Sequence, residues 1–444
     1  MSKVALTASS KYAFSVSSFS LSGASVDSDS EDDSSWLAEA DIRPEIWQEQ
    51  NGRWAAPQHY TCSYMAMFPP QLPHYFIMRF TESDDIVLDP FSGRGTTPVQ
   101  AMSQSRFGIG NDLNDLAYVL TRGKIANPSL EKVTSRLDEL ERGFVREDWL
   151  RVKPIPLNIR MIFHPETQKH LMYLRRELEW KENDVDAFLA MVLMGAMHGA
   201  SPGFLSLSMP NTFSMGWRYV KNYIRKHNLK RPNRDVFEVL RGRCERFLKL
   251  GQLPGGGLAI HGDVRNLGVS GEIEPGSVKM LFSSPPYLKV IKYGLYNWIR
   301  LWWLLGDYKE IDEKLDDAHT ITPYLEFMRE VMETTLPLLD PKKGLACWVI
   351  GDVKGVNLAD EVWKSVGSKI EVKDCNGKLS RYRLLGIVED KIQDVEKVTR
   401  IWNSEVDKSG KATPTDRILM ICHENSNPTS LIPNEKIDWN PMMD

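Results

Sequence analysis

What the chain lacks narrows it first. Its 444 residues include only five cysteines, Cys62, Cys244, Cys347, Cys375 and Cys422, which lie far apart and form no Cys-x-x-Cys pair. That pattern excludes a zinc ribbon or a disulfide framework and suits free thiols in a reducing compartment. No unbroken apolar run approaches the ~18 residues of a membrane span. The N-terminus has no basic stretch followed by a hydrophobic one, so a secretory leader is not expected. Together these absences predict a cytoplasmic protein without membrane association. An excess of positive charge is missing too, with 55 Lys and Arg against 59 Asp and Glu, a net of -4.

That net charge conceals a division. Residues 1–50 hold nine acids against Lys3, Lys11 and Arg43, a local net of -6, so the rest of the chain is +2. Residues 1–35 are rich in Ser and acid, a composition that cannot offset the entropy of ordering, and are expected to form a disordered tail. The remainder is long enough for one elaborated domain or two, with 42% apolar and 26% charged residues overall, as in ordinary globular proteins.

From residue 86 onward, short apolar runs recur: "IVLDP", "FGIGND", "LAIHGD", "VKMLFSS", "LACWVIGD", "YRLLGIVED" and "DRILMICHE". They lack strict alternation, the mark of strands buried on both faces, and helix-like stretches over residues 98–105, 114–123 and 324–338 separate several of them. An α/β fold with a mostly parallel sheet follows, closed by an antiparallel pair at residues 382–390 and 416–424. A right-handed crossover needs only one helix, so residues 127–257 form a mainly helical insertion that the sheet does not require. The basic segment 217–250 has eleven Lys or Arg against three acids, with Tyr219, Tyr223 and Phe237 interleaved. It suits either a solvated helix face or contact with a phosphate backbone. Residues 197–216, rich in Gly, Ser and Pro, read as a loop. Trp298, Trp302 and Trp303 are expected to pack a helix.

The first strand runs into "LDPFSGRGTTPVQA". Gly93 and Gly95 permit a tight turn and close approach of a ligand to the backbone, ahead of a helix near Thr97. A Walker loop needs Gly-Lys followed by Ser or Thr, which Arg94 and Gly95 do not supply. A plain βα turn is the alternative. Asp112 ends the second strand and Asp263 the third. Each acid suits either a helix N-cap or, at the carboxyl edge of such a sheet, the hydroxyls of a nucleoside.

The fourth strand ends in "SSPPY". The set "DPFSGRGTT", "GIGNDLN", "HGDV" and "SSPPY", with the upstream "HYTCSYMAMFPPQLPHYFI", resembles the amino-group DNA methyltransferases that use S-adenosylmethionine, over roughly residues 55–125 and 258–424. The resemblance implies a class I methyltransferase, Rossmann-like fold, with a catalytic domain at 36–126 and 258–430 and target recognition in 127–257. It implies cofactor contacts from Tyr60, Ser63, Asp89, Phe91, Gly93, Gly95, Thr96, Thr97, Asp112, Asp263 and Ser283, and no metal. It makes Ser284, Pro285, Pro286 and Tyr287 the catalytic signature: the Ser284 hydroxyl and Pro285 carbonyl accept the hydrogens of an exocyclic amine, and Tyr287 stacks on a base flipped from double-stranded DNA.

Ser before Pro-Pro-Tyr is usual in that family for cytosine N4, with adenine N6 the runner-up. RNA or protein-amide methylation and a catalytically silent DNA-binding subunit are weaker alternatives. A cognate restriction enzyme is a candidate partner. The insertion lies between the second and third strands rather than after the third-strand acid, a departure that leaves open which segment reads DNA. A polar arm at residues 394–415 is a further candidate for DNA contact.

Overall fold

The computed structural model describes residues 33–50, 54–65, 67–144, 155–199, 201, 203–209, 215–286, 293–314, 320–352, 356–391 and 415–442. The Ser-rich tail up to residue 32, most of the polar arm, parts of the loop at 197–216 and Tyr287 lie outside them.

Eight strands form one sheet: β1 (Ile86–Asp89), β2 (Phe107–Asp112), β3 (Gly257–His261), β4 (Val278–Ser283), β5 (Leu345–Gly351), β6 (Glu371–Lys373), β7 (Leu379–Lys391) and β8 (Thr415–His423). Their order is β3-β2-β1-β4-β5-β8-β7-β6. β1 to β5 run parallel, while β8, β7 and β6 add antiparallel pairs. This is the Rossmann-like arrangement of class I methyltransferases, with its topological switch between β1 and β4, where a crevice opens at the carboxyl edge. The seven apolar runs all became strands. The eighth, β6, is three residues long with two exposed lysine and glutamate ends, which no hydrophobic run announces.

The missing alternation has a direct cause. Val87, Met280, Phe282, Cys347, Val349, Ile418 and Met420 enter one core with the helix Gln71–Phe80. Their neighbours Leu88, Leu281, Ala346, Trp348, Ile350, Leu419 and Ile421 enter another, beneath the helices Ile321–Thr335 and Leu358–Ser365. Successive side chains point to opposite faces, and both faces are covered, so both parities are apolar.

Residues 127–257 supply the helices Leu130–Phe144, Leu157–Arg160, Pro165–Glu177, Asp184–Met197, Trp217–His227 and Val236–Phe247. Asp184–Met197 is buried on every side from Asp186 onward, as expected of a helix that is hydrophobic all round. Asn183 caps it by accepting from Val185 and Asp186 N–H. Its core also takes in Leu116, Val119 and Leu120 of the helix Asp115–Ile125 and Trp298, Ile299, Leu301 and Trp303 from the helix Trp298–Trp303 beyond β4. The tryptophans pack a helix as expected, Trp298 and Trp303 donating to the carbonyls of Met215 and Leu171 at 2.7 and 2.8 Å. Among the described residues, no helix is long and apolar enough to cross a membrane.

The helix Asp184–Met197 meets the segment before the glycine turn at Gly195, where an added Cβ would stand 1.9 Å from the Thr61 carbonyl oxygen. Gly195→Ala should therefore destabilise the protein by about 2 kcal/mol, the cost of overpacking outweighing the better helix propensity of Ala. Urea unfolding of the two proteins measures the difference.

Candidate active site

The end of β1 and the end of β4 meet through one side-chain bond. Asp89 is 1% exposed, and its carboxylate accepts from the Ser283 hydroxyl at 2.5 Å and from Phe91 N–H at 3.1 Å. Thr97, in the first turn of the helix Thr96–Ser103, donates to the Phe282 carbonyl at 3.1 Å. The glycine turn is thereby clamped to β4. Burial pushes the Asp89 carboxyl up to about 6, against the hydrogen bonds from Ser283, Phe91 and Thr97.

The turn itself uses both glycines. Gly93 has φ +52° and Gly95 φ +79°, the left-handed region. A Cβ on Gly95 would lie 2.9 Å from Thr121 Oγ1, and one on Gly93 would touch the Tyr64 ring at 3.4 Å. Gly95 caps the helix Thr96–Ser103, of which Thr96 and Thr97 are buried. Phe91 is half-buried and packs on Phe327 with ring centroids 5.7 Å apart.

Asp112 joins this group. One carboxylate oxygen accepts from Gly93 N–H and the other from Asn114 N–H, both at 2.9 Å. The helix after β2 is capped by Asn114, whose side chain accepts from Leu116 N–H. Capping is therefore not the task of Asp112, and its carboxyl stays at the crevice. Burial pushes it up to about 7, with the charge of Asp89 adding to the rise and backbone N–H groups opposing it.

Asp263 behaves differently. Its side chain caps a short 3-10 turn through Arg265 N–H at 3.0 Å and takes the Arg265 guanidinium at 2.6 Å. Arg265 holds its carboxyl below the usual aspartate range. The capping alternative describes the geometry of this acid.

Ser284 is the first residue beyond β4. Its Oγ is buried and has no hydrogen-bond partner, although Ser283 beside it is fully committed to Asp89. Pro285 is buried and Pro286 half-buried. An orphaned hydroxyl of this kind is costly unless a ligand satisfies it. The buried Asn111 Oδ1 at the end of β2 is also without a partner.

Two residues absent from the sequence expectation stand at the turn. Tyr64 lies against Gly93, takes a hydrogen bond from Asn114 Nδ2 at 3.2 Å, and stacks on Tyr293 with ring centroids 5.7 Å apart. Burial and the nearby Asp112 push both phenols up. Tyr60 and Ser63, expected at the cofactor, line a groove facing the helix Val236–Phe247. Nothing in the local pattern separates Tyr64 from Tyr60, since only the path of the chain across the turn chooses between them.

Residues 12–120 match a protein family described as DNA methylase. The chain is 36% identical over 132 residues to the type II methyltransferase M.MjaII of Methanocaldococcus jannaschii, covering 29% of this chain and 25% of that protein. It is 34% identical over 103 residues to the type II methyltransferase M.PvuII of Proteus hauseri, covering 21% and 30%. It is 33% identical over 79 residues to the orphan methyltransferase M.BamHII of Bacillus amyloliquefaciens, covering 18% and 30%. The chain thus spans less than a third of the length of each of these curated relatives. With the strand order, these matches support the amino-group DNA methyltransferase family.

The two acids make a pH prediction. The folded-state pKa of Asp112 lies above its ordinary value of 3.8, so between about pH 4 and 7 the native state holds the extra proton. Its contribution to stability is present at low pH and is lost as pH rises through 7. Allowing for partial exposure, the loss is about 2 kcal/mol. Urea unfolding of the ligand-free protein between pH 5 and 8 should show Asp112→Asn flattening the decline relative to the native sequence.

Proposed function

We propose that the protein is an S-adenosylmethionine-dependent DNA methyltransferase acting on the exocyclic N4 of a cytosine flipped out of duplex DNA. The observation that carries this reading is the Ser284 hydroxyl, buried and unpartnered at the end of β4, beside a Ser283 locked to Asp89. An exocyclic amine offers two hydrogens and a lone pair delocalised into its ring. Ser284 Oγ accepts one hydrogen and the Pro285 carbonyl the other, which turns the lone pair toward the incoming carbon. Proline fixes the backbone that aims this carbonyl.

The residues at the turn fit the cofactor. Asp112 has both oxygens at the crevice, each holding one backbone N–H, and their remaining lone pairs suit the hydroxyls of a ribose. Gly93 and Gly95 allow a ligand close to the backbone, where a side chain would intrude. When bound, S-adenosylmethionine supplies the electrophilic methyl group. The orientation of the amine falls to Ser284 and Pro285, and stacking on the base falls to Tyr287. Direct transfer leaves a cationic nitrogen acidic enough to release its proton to water, so no strong general base is required.

We assign target recognition to residues 127–257. The helix Trp217–His227 buries only Val220 and exposes Arg218, Lys221, Arg225 and Lys226. Tyr219 and Tyr223 stack along it with ring centroids 6.0 Å apart. The rings pack against the helical core, and the exposed cations beside them suit phosphate contacts. Residues of the loop at 197–216 then reach base edges in the major groove. A restriction enzyme reading the same site is the partner this function implies.

Incubation with duplex DNA and methyl-labelled S-adenosylmethionine, followed by digestion to nucleosides, should place the label in N4-methylcytosine. Label in N6-methyladenine would move the target base. Label confined to RNA or protein would remove the DNA function. Ser284→Ala should bind the cofactor as the native protein does and lose about 10- to 100-fold in transfer rate, the worth of one hydrogen bond in a water-excluded site. Calorimetric cofactor binding and single-turnover rates separate the two effects.

A further inference from the structure

We infer that the groove between residues 55–63 and the helix Val236–Phe247 is a seat for the sugar-phosphate backbone of the bound DNA, a reading that rests on the DNA methyltransferase function proposed above. The groove has a volume of about 910 Å³, with Tyr60, Thr61 and Ser63 on one wall and Arg234, Arg243, Arg246 and Lys249 on the other. Its acidic members are Asp235 and Glu238, so basic residues outnumber acids by four to two. The Asp235 carboxylate is already used to cap the helix, accepting from Glu238 N–H at 3.0 Å.

The cations of this groove are uncompensated. Arg243 donates to the carbonyls of Gly195 and Gly203 at 3.2 and 3.4 Å and lies over the Phe204 ring at 4.8 Å. Arg234 Nε is buried without a hydrogen-bond partner, and so is the Thr61 hydroxyl on the facing wall. Burial and the charges of Arg246 and Arg300 pull the Arg243 guanidinium down to about 10.

Three other partly buried arginines are held by carboxylates. Arg136 holds Asp186 at 2.9 Å, Arg417 holds Asp352 at 2.8 Å, and Arg241, on the same helix as Arg243, holds Asp138 and Glu141 at 2.6 Å each. Among the described residues no carboxylate pairs with Arg234, Arg243, Arg246 or Lys249. Beside Tyr60 and Cys62, the buried Arg94 and Lys124 also have no carboxylate partner among the described residues; Lys124 Nζ donates to the Arg94 carbonyl, and Arg94 Nε has no hydrogen-bond partner. A basin of unpaired cations with low-dielectric walls concentrates positive potential and favours an anion.

The arrangement suits a chain of phosphates better than a single one. Arg243 and Arg246 stand three residues apart on the helix Val236–Phe247, a rise of about 4.5 Å, and Lys249 follows just past its end. All three line the same open groove.

Gly242 provides a clean test. It lines the groove, and a Cβ there would meet nothing within 4 Å, so a side chain can be added without removing a contact. Binding of a fluorescently labelled mixed-sequence duplex is followed by anisotropy across a salt series. Gly242→Glu should weaken binding about tenfold at low salt and Gly242→Lys should tighten it. Both should melt at or above the native temperature, because Gly is the poorest helix former after Pro. A combined R234Q/R246Q/K249Q variant should make the plot of log affinity against log salt shallower by about two to three, at roughly 0.9 per phosphate contact. If that variant folds poorly, the Gly242 pair decides. Native affinity and salt slope in all the folded variants, with the native protein binding and methylating DNA, would overturn the seat and leave the function standing. A native protein that neither binds nor methylates DNA would overturn the function, and the seat with it.

Discussion

The bond between Asp89 and Ser283 joins the two strand ends on which every other feature of the site depends. β1 and β4 are neighbours at the point where the sheet reverses its winding, with β2 and β3 on one side and β5 and the antiparallel strands on the other. The loops that follow them must therefore diverge, and a crevice opens between them. A buried carboxyl shared with one hydroxyl holds this opening at a set width, and Thr97 repeats the tie through the Phe282 carbonyl. With Ser283 spent on that bond, the next hydroxyl along, Ser284, is left for a ligand.

Charge is distributed unevenly around this junction. The crevice carries two acids whose carboxyls burial pushes up, against the hydrogen bonds that each accepts. The outer groove carries arginines that no carboxylate pairs with among the described residues. Burial of a cation is not by itself a sign of function. Arg79 is 3% exposed and is satisfied by Tyr75, Asn434 and the carbonyls of Ala40, Asp41 and Ile432, a clamp between the N- and C-terminal segments. The groove arginines differ in facing open volume with donors to spare.

The helical insertion is not an appendage to the sheet. Its core is completed by the helix after β2 and by the helix Trp298–Trp303 beyond β4. Arg300 reinforces this, its buried guanidinium donating to the carbonyls of Met194 and His198 and to Asn297. The segment 217–250, to which DNA contact is assigned above as a proposal, is thus packed against the helix Trp298–Trp303 that follows Ser-Pro-Pro-Tyr in the chain. Movement of either would disturb a close-packed interior, which resists gradual deformation.

Much of this was legible in the order of residues. Strands buried on both faces show as unbroken apolar runs, a glycine turn shows as Gly-x-Gly after a strand, and an interrupted strand end shows as Pro-Pro. In each case the physical cause lies in consecutive residues: φ limits, a missing donor, or side-chain parity. The sequence by itself thus determined the α/β sheet, the turn at Gly93 and Gly95, and the placement of Ser284 beyond a fourth strand. Only the tertiary structure decided that Asn114 caps the helix after β2 and frees Asp112, that Arg265 engages Asp263, that Tyr64 lies against Gly93, and that Ser283 is spent on a partner 194 residues away. Those choices depend on which groups the fold brings within about 3 Å, the range over which a hydrogen bond acts, and distance of that kind is not written in the neighbouring residues.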